Sequence, residues 1–138
     1  MLKSIDTICH SKYMELEWVG PLVLCEEEVS RVPIGIPGVY MLHNFYAARG
    51  RYGAVYVGKA RDLRDRLAEH MESTSTSPDL WLLRRRIQMY FSAAPVMDAA
   101  GRDAVEAGLI RLLRPPFNRQ VPRVRSIYTN LPPMVLIF

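Results

Sequence analysis

Short apolar segments alternate with polar turns along most of the chain, and the first clear pair predicts a hairpin. Residues 38–45 and 54–58 are rich in aromatic and β-branched side chains, which is typical of strands. The basic turn between them, residues 47–53, predicts an antiparallel connection. Residues 87–93 alternate apolar and polar positions and predict a third strand, while residues 19–24 indicate a strand in the N-terminal segment.

A helical period follows the hairpin. Asp62 is a suitable N-cap, with Asp65 three residues later in the position of a capping box. Leu63, Leu67 and Met71 then recur at the spacing of one buried helical stripe. The pattern predicts an amphipathic helix directly after the second strand.

Two more helices are predicted from their boundaries. Ser77 and Pro78 can open the first of these, which carries residues 81–86, because proline fits the first helical position. The second runs from about Arg102 to Leu113, and the prolines at 115–116 cannot continue it.

The resulting order, β-β-α-α-β-α, predicts an α+β fold. We expect a small antiparallel three-stranded sheet flanked by helices, with an N-terminal extension. Composition and glycine-proline punctuation divide the chain into an acidic extension at residues 1–33, a main domain at 34–120 and a C-terminal tail at 121–138. A length of 138 residues is consistent with one domain.

Charge is distributed unevenly and points to an anionic partner. Residues 1–30 hold two lysines against six acids, whereas the rest of the chain holds sixteen basic residues against eight acids. Fifteen of the eighteen basic residues are arginines, whose planar guanidinium suits phosphate. Nucleic acid is the first candidate, and a solvated basic surface is the alternative.

Other function classes find no support in the sequence. No apolar run approaches the length of a membrane-spanning helix, and the N-terminus lacks the apolar core of a secretory signal. Cys9 and Cys25 show no spacing typical of a disulfide framework or a metal site. We therefore expect free thiols and a cytoplasmic location without membrane contact.

Several polar side chains are expected at one edge of the sheet. Arg66 and His70 lie four residues apart and share a helix face. Lys59 follows the second strand, and Tyr40 can share a sheet face with Tyr56 on the neighbouring strand. These groups could therefore converge.

A carboxylate and an amide complete the candidate residues. Glu106 is in helical register with Leu109, Ile110 and Leu113, and a carboxylate on an apolar stripe is costly unless it is paired or binds a metal. An ordinary glutamate in an early helical turn is the alternative. Asn118 follows the double proline and, taken alone, is a turn residue.

Together these positions resemble the GIY-YIG nuclease family. Its two signatures correspond to GVY at residues 38–40 and YVG at 56–58. The family's helix positions fall on Arg66 and His70, its metal-binding glutamate on Glu106, and its asparagine on Asn118. The wording YVGKA is most similar to excision-repair and restriction members. Fifteen residues separate Tyr40 from Tyr56, which is longer than the commonest family spacing.

The resemblance implies a metal-dependent DNA endonuclease that hydrolyses phosphodiester bonds. Glu106 would hold Mg²⁺ or Mn²⁺, and Arg66 would clamp the scissile phosphate. Tyr40 would orient or deprotonate water, with Lys59 or the metal favouring its ionised form. Tyr56 and His70 remain alternatives for proton handling.

The remaining site residues have supporting roles under this hypothesis. Asn118 would orient the site by hydrogen bonds, and Gly38 and Gly58 would permit close backbone approach. Six arginines are weaker candidates for phosphate contacts: Arg49, Arg51, Arg61, Arg84, Arg85 and Arg86.

The biological setting stays open at this point. Restriction, repair, toxin and mobile-element roles all fit the residues, RNA remains possible beside DNA, and the enzyme could act as a homodimer or with a guiding partner. The alternative function is a catalytically silent module that binds nucleic acid or protein.

Overall fold

The computed structural model describes residues 12–72 and 78–137. Within them the strands are β1 (Lys12–Met14), β2 (Val19–Val23), β3 (Gly38–Tyr46), β4 (Arg51–Ala60), β5 (Tyr90–Pro95) and β6 (Ile127–Thr129). The helices are α1 (Glu26–Val29), α2 (Leu63–Met71), α3 (Pro78–Arg86) and α4 (Ala99–Leu113). From β3 to α4 the order is β-β-α-α-β-α, as predicted. None of the described helices is long and apolar enough to cross a membrane.

The main sheet has four strands rather than the three predicted for the domain. Its order is β2-β5-β3-β4, and all neighbours are antiparallel. The fourth strand comes from the N-terminal extension, where β2 pairs with the outer edge of β5. This pairing satisfies backbone groups that an edge strand would otherwise leave open.

The β3–β4 hairpin is longer than the sequence predicted. Residues 51–53 were expected in the turn, but β4 begins at Arg51, which pairs with Tyr46. The register shifts between Leu42, opposite Tyr56, and His43, opposite Ala54. The additional residues between the two signature motifs therefore lengthen both strands of the hairpin and include a β-bulge.

Helix boundaries follow local capping. In α2, the Asp62 side chain accepts a hydrogen bond from the Asp65 backbone N–H at 3.2 Å, as the sequence predicted. Helix α4 begins three residues before the predicted Arg102, because Asp98 caps it by accepting from the Gly101 N–H at 2.7 Å. Ser77, the predicted start of α3, lies outside the described residues.

The third strand of the domain begins later than predicted. The pattern at residues 87–93 suggested a strand from Ile87, but β5 spans Tyr90–Pro95. Ile87 is 37% exposed and its N–H bonds to the Leu83 carbonyl at 3.0 Å, so it closes α3 instead.

Two apolar clusters pack on the two faces of the sheet. One joins Tyr40, Leu42 and Phe91 to Leu63 and Leu67 of α2. In the other, alternate strand residues Val39, Met41 and Val57 pack against Val105 and Leu109 of α4. Because successive residues of β3 belong to different clusters, Tyr40 faces α2 and not α4.

The extension and the tail pack on the domain. β1 and β6 form a parallel pair beside α4, where Gly108 leaves room for the Ile127 carbonyl that a Cβ would overlap. Farther along, the Tyr52 N–H donates to the Met134 carbonyl and the Leu136 N–H donates to the Tyr52 carbonyl, both at 2.8 Å. The tail thus covers part of the outer edge of β4.

Candidate active site

Tyr40 lies buried at the centre of the candidate site, and a glycine on the neighbouring strand makes its position possible. It is 1% exposed and pairs across the hairpin with Gly58. A Cβ on Gly58 would lie 2.5 Å from Cζ of the Tyr40 ring, so the ring occupies the space that a side chain would need. Gly38 is similarly close to the Ala94 carbonyl of β5. Both glycines thus serve the close approach predicted for them.

Two helix side chains converge on the Tyr40 hydroxyl. His70 Nε2 lies 2.7 Å from it, and Arg66 Nε donates to it at 3.3 Å. The Tyr56 ring lies 6.2 Å from the Tyr40 ring and 5.7 Å from the His70 ring, measured between centroids. The structure therefore brings together four residues that the sequence placed at one edge of the sheet.

Burial favours the neutral forms of Tyr40 and His70, because a charged side chain loses its hydration there. Burial and the nearby Arg66 lower the pKa of His70 to about 3, so its imidazole is neutral at physiological pH. The pKa of Tyr40 is raised, mainly by burial, and the Arg66 charge opposes that rise. Among the described residues Arg66 is the cation that contacts Tyr40, whereas the sequence had offered Lys59 or the metal to favour the ionised form of the tyrosine.

Lys59 instead joins two carboxylates of α4. Its ammonium forms an ion pair with Asp103 and lies 4.0 Å from Glu106 Oε1. Asp103 was missed by the sequence analysis, although its place one helical turn before Glu106 was a usable signal. The Glu106 side chain is only 14% exposed, and burial raises its pKa while Lys59 acts to lower it.

Glu106 suits the single-carboxylate metal site expected from the sequence. Its carboxylate already faces a cation, the Lys59 ammonium. No group of three or more His, Cys, Asp or Glu side chains could enclose a metal ion in the described chain. Mg²⁺ does not require one, since it retains several waters and binds substrate phosphate beside one or two carboxylates. The residues present therefore fit such an ion.

Asn118 stabilises the strand that carries Tyr56. Its Oδ1 accepts from the Val57 N–H and its Nδ2 donates to the Val57 carbonyl, both at 2.8 Å. The Phe117 N–H also donates to the Val55 carbonyl at 3.0 Å. The asparagine thus pairs with the outer edge of β4 like an added strand residue.

A cavity opens beside these residues. It has a volume of about 420 Å³ and leads from solvent to the partners of Tyr40. Its polar lining comes from six side chains: Tyr56, Arg66, His70, Asn118, Arg119 and Gln120. Arg66 Nη1 also donates to Glu69 Oε1 at 2.8 Å, so a phosphate entering the cavity would meet the guanidinium at Nη2.

The six weaker arginine candidates are dispersed. Arg49 and Arg51 lie at the far end of the hairpin, and Arg61 lines a cavity of about 340 Å³ with Lys59 and Asp103. Arg84, Arg85 and Arg86 end α3, where the Arg85 guanidinium lies 4.9 Å from the centre of the Trp81 ring. Their contact with nucleic acid stays a prediction.

Comparison with known proteins identifies the family. Residues 36–119 match the model of the UvrC-like GIY-YIG domain, which is more than half of the chain. The chain therefore belongs to the GIY-YIG family, in its UvrC-like branch. The family prediction made from residues 38–118 is confirmed.

Individual relatives agree with this assignment. The chain is 32% identical over 83 residues to UvrABC system protein C of Saccharophagus degradans, a match covering 60% of this chain and 13% of that protein. The magnesium-bound N-terminal endonuclease domain of Thermotoga maritima UvrC matches with a TM-score of 0.51 and 22% identity, covering 68% of this chain and 99% of that one. A point mutant of that domain, bound to its catalytic divalent cation, gives 0.52 and 23%, covering 70% and 100%. These structures confirm the predicted fold.

Proposed function

We propose that this chain is a divalent-metal-dependent endonuclease that hydrolyses phosphodiester bonds in DNA. The observation that carries the proposal is the convergence of Arg66 and His70 on the buried Tyr40 hydroxyl beside a solvent-accessible cavity. Glu106 lies close enough for its charge to raise the pKa of Tyr40. The similar Thermotoga domain, an endonuclease bound to magnesium, supports the same chemistry.

Proton positions follow from the hydrogen-bond donors. Arg66 Nε can only donate, so the Tyr40 oxygen accepts from it and has its own proton to give. The neutral His70 can accept a hydrogen bond from that hydroxyl on Nε2. We infer that Tyr40 orients the attacking water and that His70 fixes the direction of the Tyr40 hydroxyl. Tyr56, at the cavity wall, can orient the same water.

Charge on the phosphate is balanced from two sides. Arg66 can donate to a non-bridging oxygen while it keeps its contact with Tyr40. Glu106 would hold a divalent ion, Mg²⁺ or Mn²⁺, which would neutralise charge on the phosphate and the leaving group. Asp103 and Glu106 share one ammonium, that of Lys59, so the three groups keep a net negative charge when both carboxylates are ionised.

The setting of the reaction extends the proposal. One chain presents one such centre, so cutting both strands of a duplex requires a second copy or a guiding partner. The free thiol of Cys25 suits a reducing, cytoplasmic environment. The arginine-rich chain after residue 30 favours association with either DNA or RNA, and DNA is the substrate that we propose.

The experiment is cleavage of supercoiled plasmid by the purified chain with Mg²⁺ or Mn²⁺. We expect nicked or linear DNA from wild type, none in EDTA, and none from Glu106→Gln. Glu27→Gln, an exposed acid on α1, is the matched control and should cleave like wild type.

The products and a parallel substrate sharpen the result. Discrete fragments would indicate a sequence-specific enzyme, a smear a non-specific one, and preferential cutting of an RNA of the same sequence would contradict the choice of DNA. Cleavage by Glu106→Gln at the wild-type rate would contradict the placement of the metal.

A further inference from the structure

A segment rich in positive charge lies at the end of the family domain and beyond it. Residues 111–125 contain five arginines and no acidic residue. The match to the UvrC-like family ends at residue 119, so the last two arginines, Arg123 and Arg125, belong to this chain's own tail. Both are exposed. The mechanism above uses none of the charge beyond Arg119.

A second cavity lies within this segment and adjoins the first. Its volume is about 530 Å³, and its lining is Ile110, Arg111, Arg114, Pro115, Asn118 and Val121. Asn118 lines both cavities. Because the Asn118 amide is held to the Val57 backbone by two hydrogen bonds, the ridge between the cavities is a fixed part of the fold.

Arg111 builds one wall of the second cavity without losing its charge. Its guanidinium donates to the Pro122 carbonyl at 2.7 Å, to the Val124 carbonyl at 2.8 Å and to the Ser126 hydroxyl. All three partners are uncharged, so they fix the side chain while its positive field remains. The same contacts hold the tail against α4.

Arg114 supplies an accessible cation at the other wall. It is exposed, and in the described part of the chain no carboxylate pairs with it. Its backbone has a φ of 46°, in the left-handed region that favours glycine, at the point where α4 ends. The chain thus keeps an arginine where a glycine would be less strained, which is a feature of functional sites.

We propose that the second cavity is a binding site for the phosphodiester backbone of a nucleic-acid strand. The strand passes from the first cavity over Asn118 and places a flanking phosphate between Arg111 and Arg114. Arg123 and Arg125 extend the positive surface along the tail. The identity of the strand as the substrate rests on the proposed endonuclease function, whereas the binding site itself does not.

The test measures DNA binding by the full chain with fluorescence anisotropy, in EDTA so that no cleavage occurs, across a salt series. We expect Arg114→Gln to weaken binding of a labelled duplex and to reduce the slope of log affinity against log salt by about 0.9, the value for one lost phosphate contact. The matched control is Arg31→Gln, which removes the same charge from an exposed residue paired with Glu28. A change equal to that of the control would overturn the proposal.

A second variant guards against misfolding. Arg114→Gly removes the same charge and relieves the left-handed backbone, so it should fold at least as well as wild type. It should show the same loss of salt dependence as Arg114→Gln. Wild-type salt dependence in a folded Arg114→Gly protein would also overturn the proposal.

Two further outcomes separate this inference from the proposed function. In the first, wild type fails to cut plasmid with either metal while the Arg114 variants still lose salt dependence. That result would contradict the proposed endonuclease function and support the proposed phosphate-binding site. If polyglutamate competes with an Arg114-dependent affinity and DNA does not, the site takes an acidic protein, and the proposal is wrong.

Discussion

The two ends of the β3–β4 hairpin contain the same kinds of residue but only one of them forms a site. At the first end the Tyr40 ring covers Gly58, and a histidine, His70, bonds to its hydroxyl. At the other end, near the turn, the Tyr46 ring covers Gly53 in the same way. A second buried histidine lies on this half of the hairpin as well.

That second histidine, His43, bonds to the Ser92 hydroxyl at 2.8 Å on the opposite face of the sheet from Tyr40. Near the turn Tyr46 and His43 therefore lie on different faces, because residues three apart on one strand alternate. The tyrosine ring beside His43 is that of Tyr52, with centroids 5.9 Å apart. At the first end the histidine comes from α2 and meets the tyrosine on one face, with Arg66 beside them. Convergence on one face, beside a cavity and with a cation, distinguishes the site from its counterpart.

Removing the guanidinium breaks the convergence and has the largest expected effect. Arg66→Gln should lower the single-turnover cleavage rate by about 10²–10³-fold, as the loss of a positioned donor at a phosphoryl centre does. Arg64→Gln is the control, because Arg64 on the same helix donates to the Val32 carbonyl instead. Equal losses in both variants would mean that the general charge of α2, and not the contact with Tyr40, matters.

Adding a methyl group at each glycine compares the two ends directly. In Gly58→Ala the new Cβ would overlap the fully buried Tyr40 ring, so we expect a loss of about 1–3 kcal/mol in the free energy of unfolding. In Gly53→Ala the new Cβ would overlap Tyr46 and lie 2.8 Å from Asn44 Oδ1, but the Tyr46 ring is 38% exposed and has more room to move. Urea denaturation would contradict this account if Gly53→Ala were the less stable variant.

Removing a histidine partner away from the site should affect stability alone. Ser92→Ala leaves the buried His43 Nε2 without its hydroxyl, at a cost of about 1–2 kcal/mol in the free energy of unfolding. The cleavage rate of the folded protein should equal that of wild type. A rate loss comparable to that of a site variant would show that the two ends are coupled.

The free energy of unfolding should fall as the pH is lowered, because of the two buried histidines. The change should be smallest near pH 7. Burial lowers the pKa of His43 to about 4, and burial with Arg66 lowers that of His70 to about 3. The unfolded chain therefore takes up protons first, so the stability present above about pH 6.5 declines as the pH falls toward those values.

Between about pH 7 and pH 6 this amounts to roughly 1 kcal/mol for two histidines. Urea denaturation at several pH values measures the decline, and His43→Gln should reduce its slope. Stability that rises as the pH falls through this range would contradict neutral burial of the imidazoles.

The parts of the fold that the sequence predicted are those with local signals. The cap at Asp62, the stripe of Leu63 and Leu67, and the strand character of residues 38–45 each depend on neighbours in the chain. Strand alternation and helical spacing also led us to expect Tyr40, Arg66 and His70 at one edge of the sheet, whereas their roles came from the family resemblance.

The parts that were missed depend on distant partners. No local sequence pattern predicts that β2 pairs with β5. The partner of an edge strand depends on which edge of the sheet is left unpaired by the rest of the fold. The register shift after Leu42 and the ion pair between Lys59 and Asp103 likewise join segments far apart in sequence. The cavity beside Arg114 required the tail to fold back on α4, which no spacing in the sequence predicts.

The most direct test of the central claim removes one oxygen atom from the point of convergence. Single-turnover cleavage of a labelled duplex with saturating Mg²⁺ would compare Tyr40→Phe with wild type, after urea denaturation has shown equal folding. The account predicts a rate at least about 100-fold below wild type with unchanged affinity for the duplex. A rate close to wild type would contradict it and would leave Tyr40 as a core residue beside a centre that works without its hydroxyl.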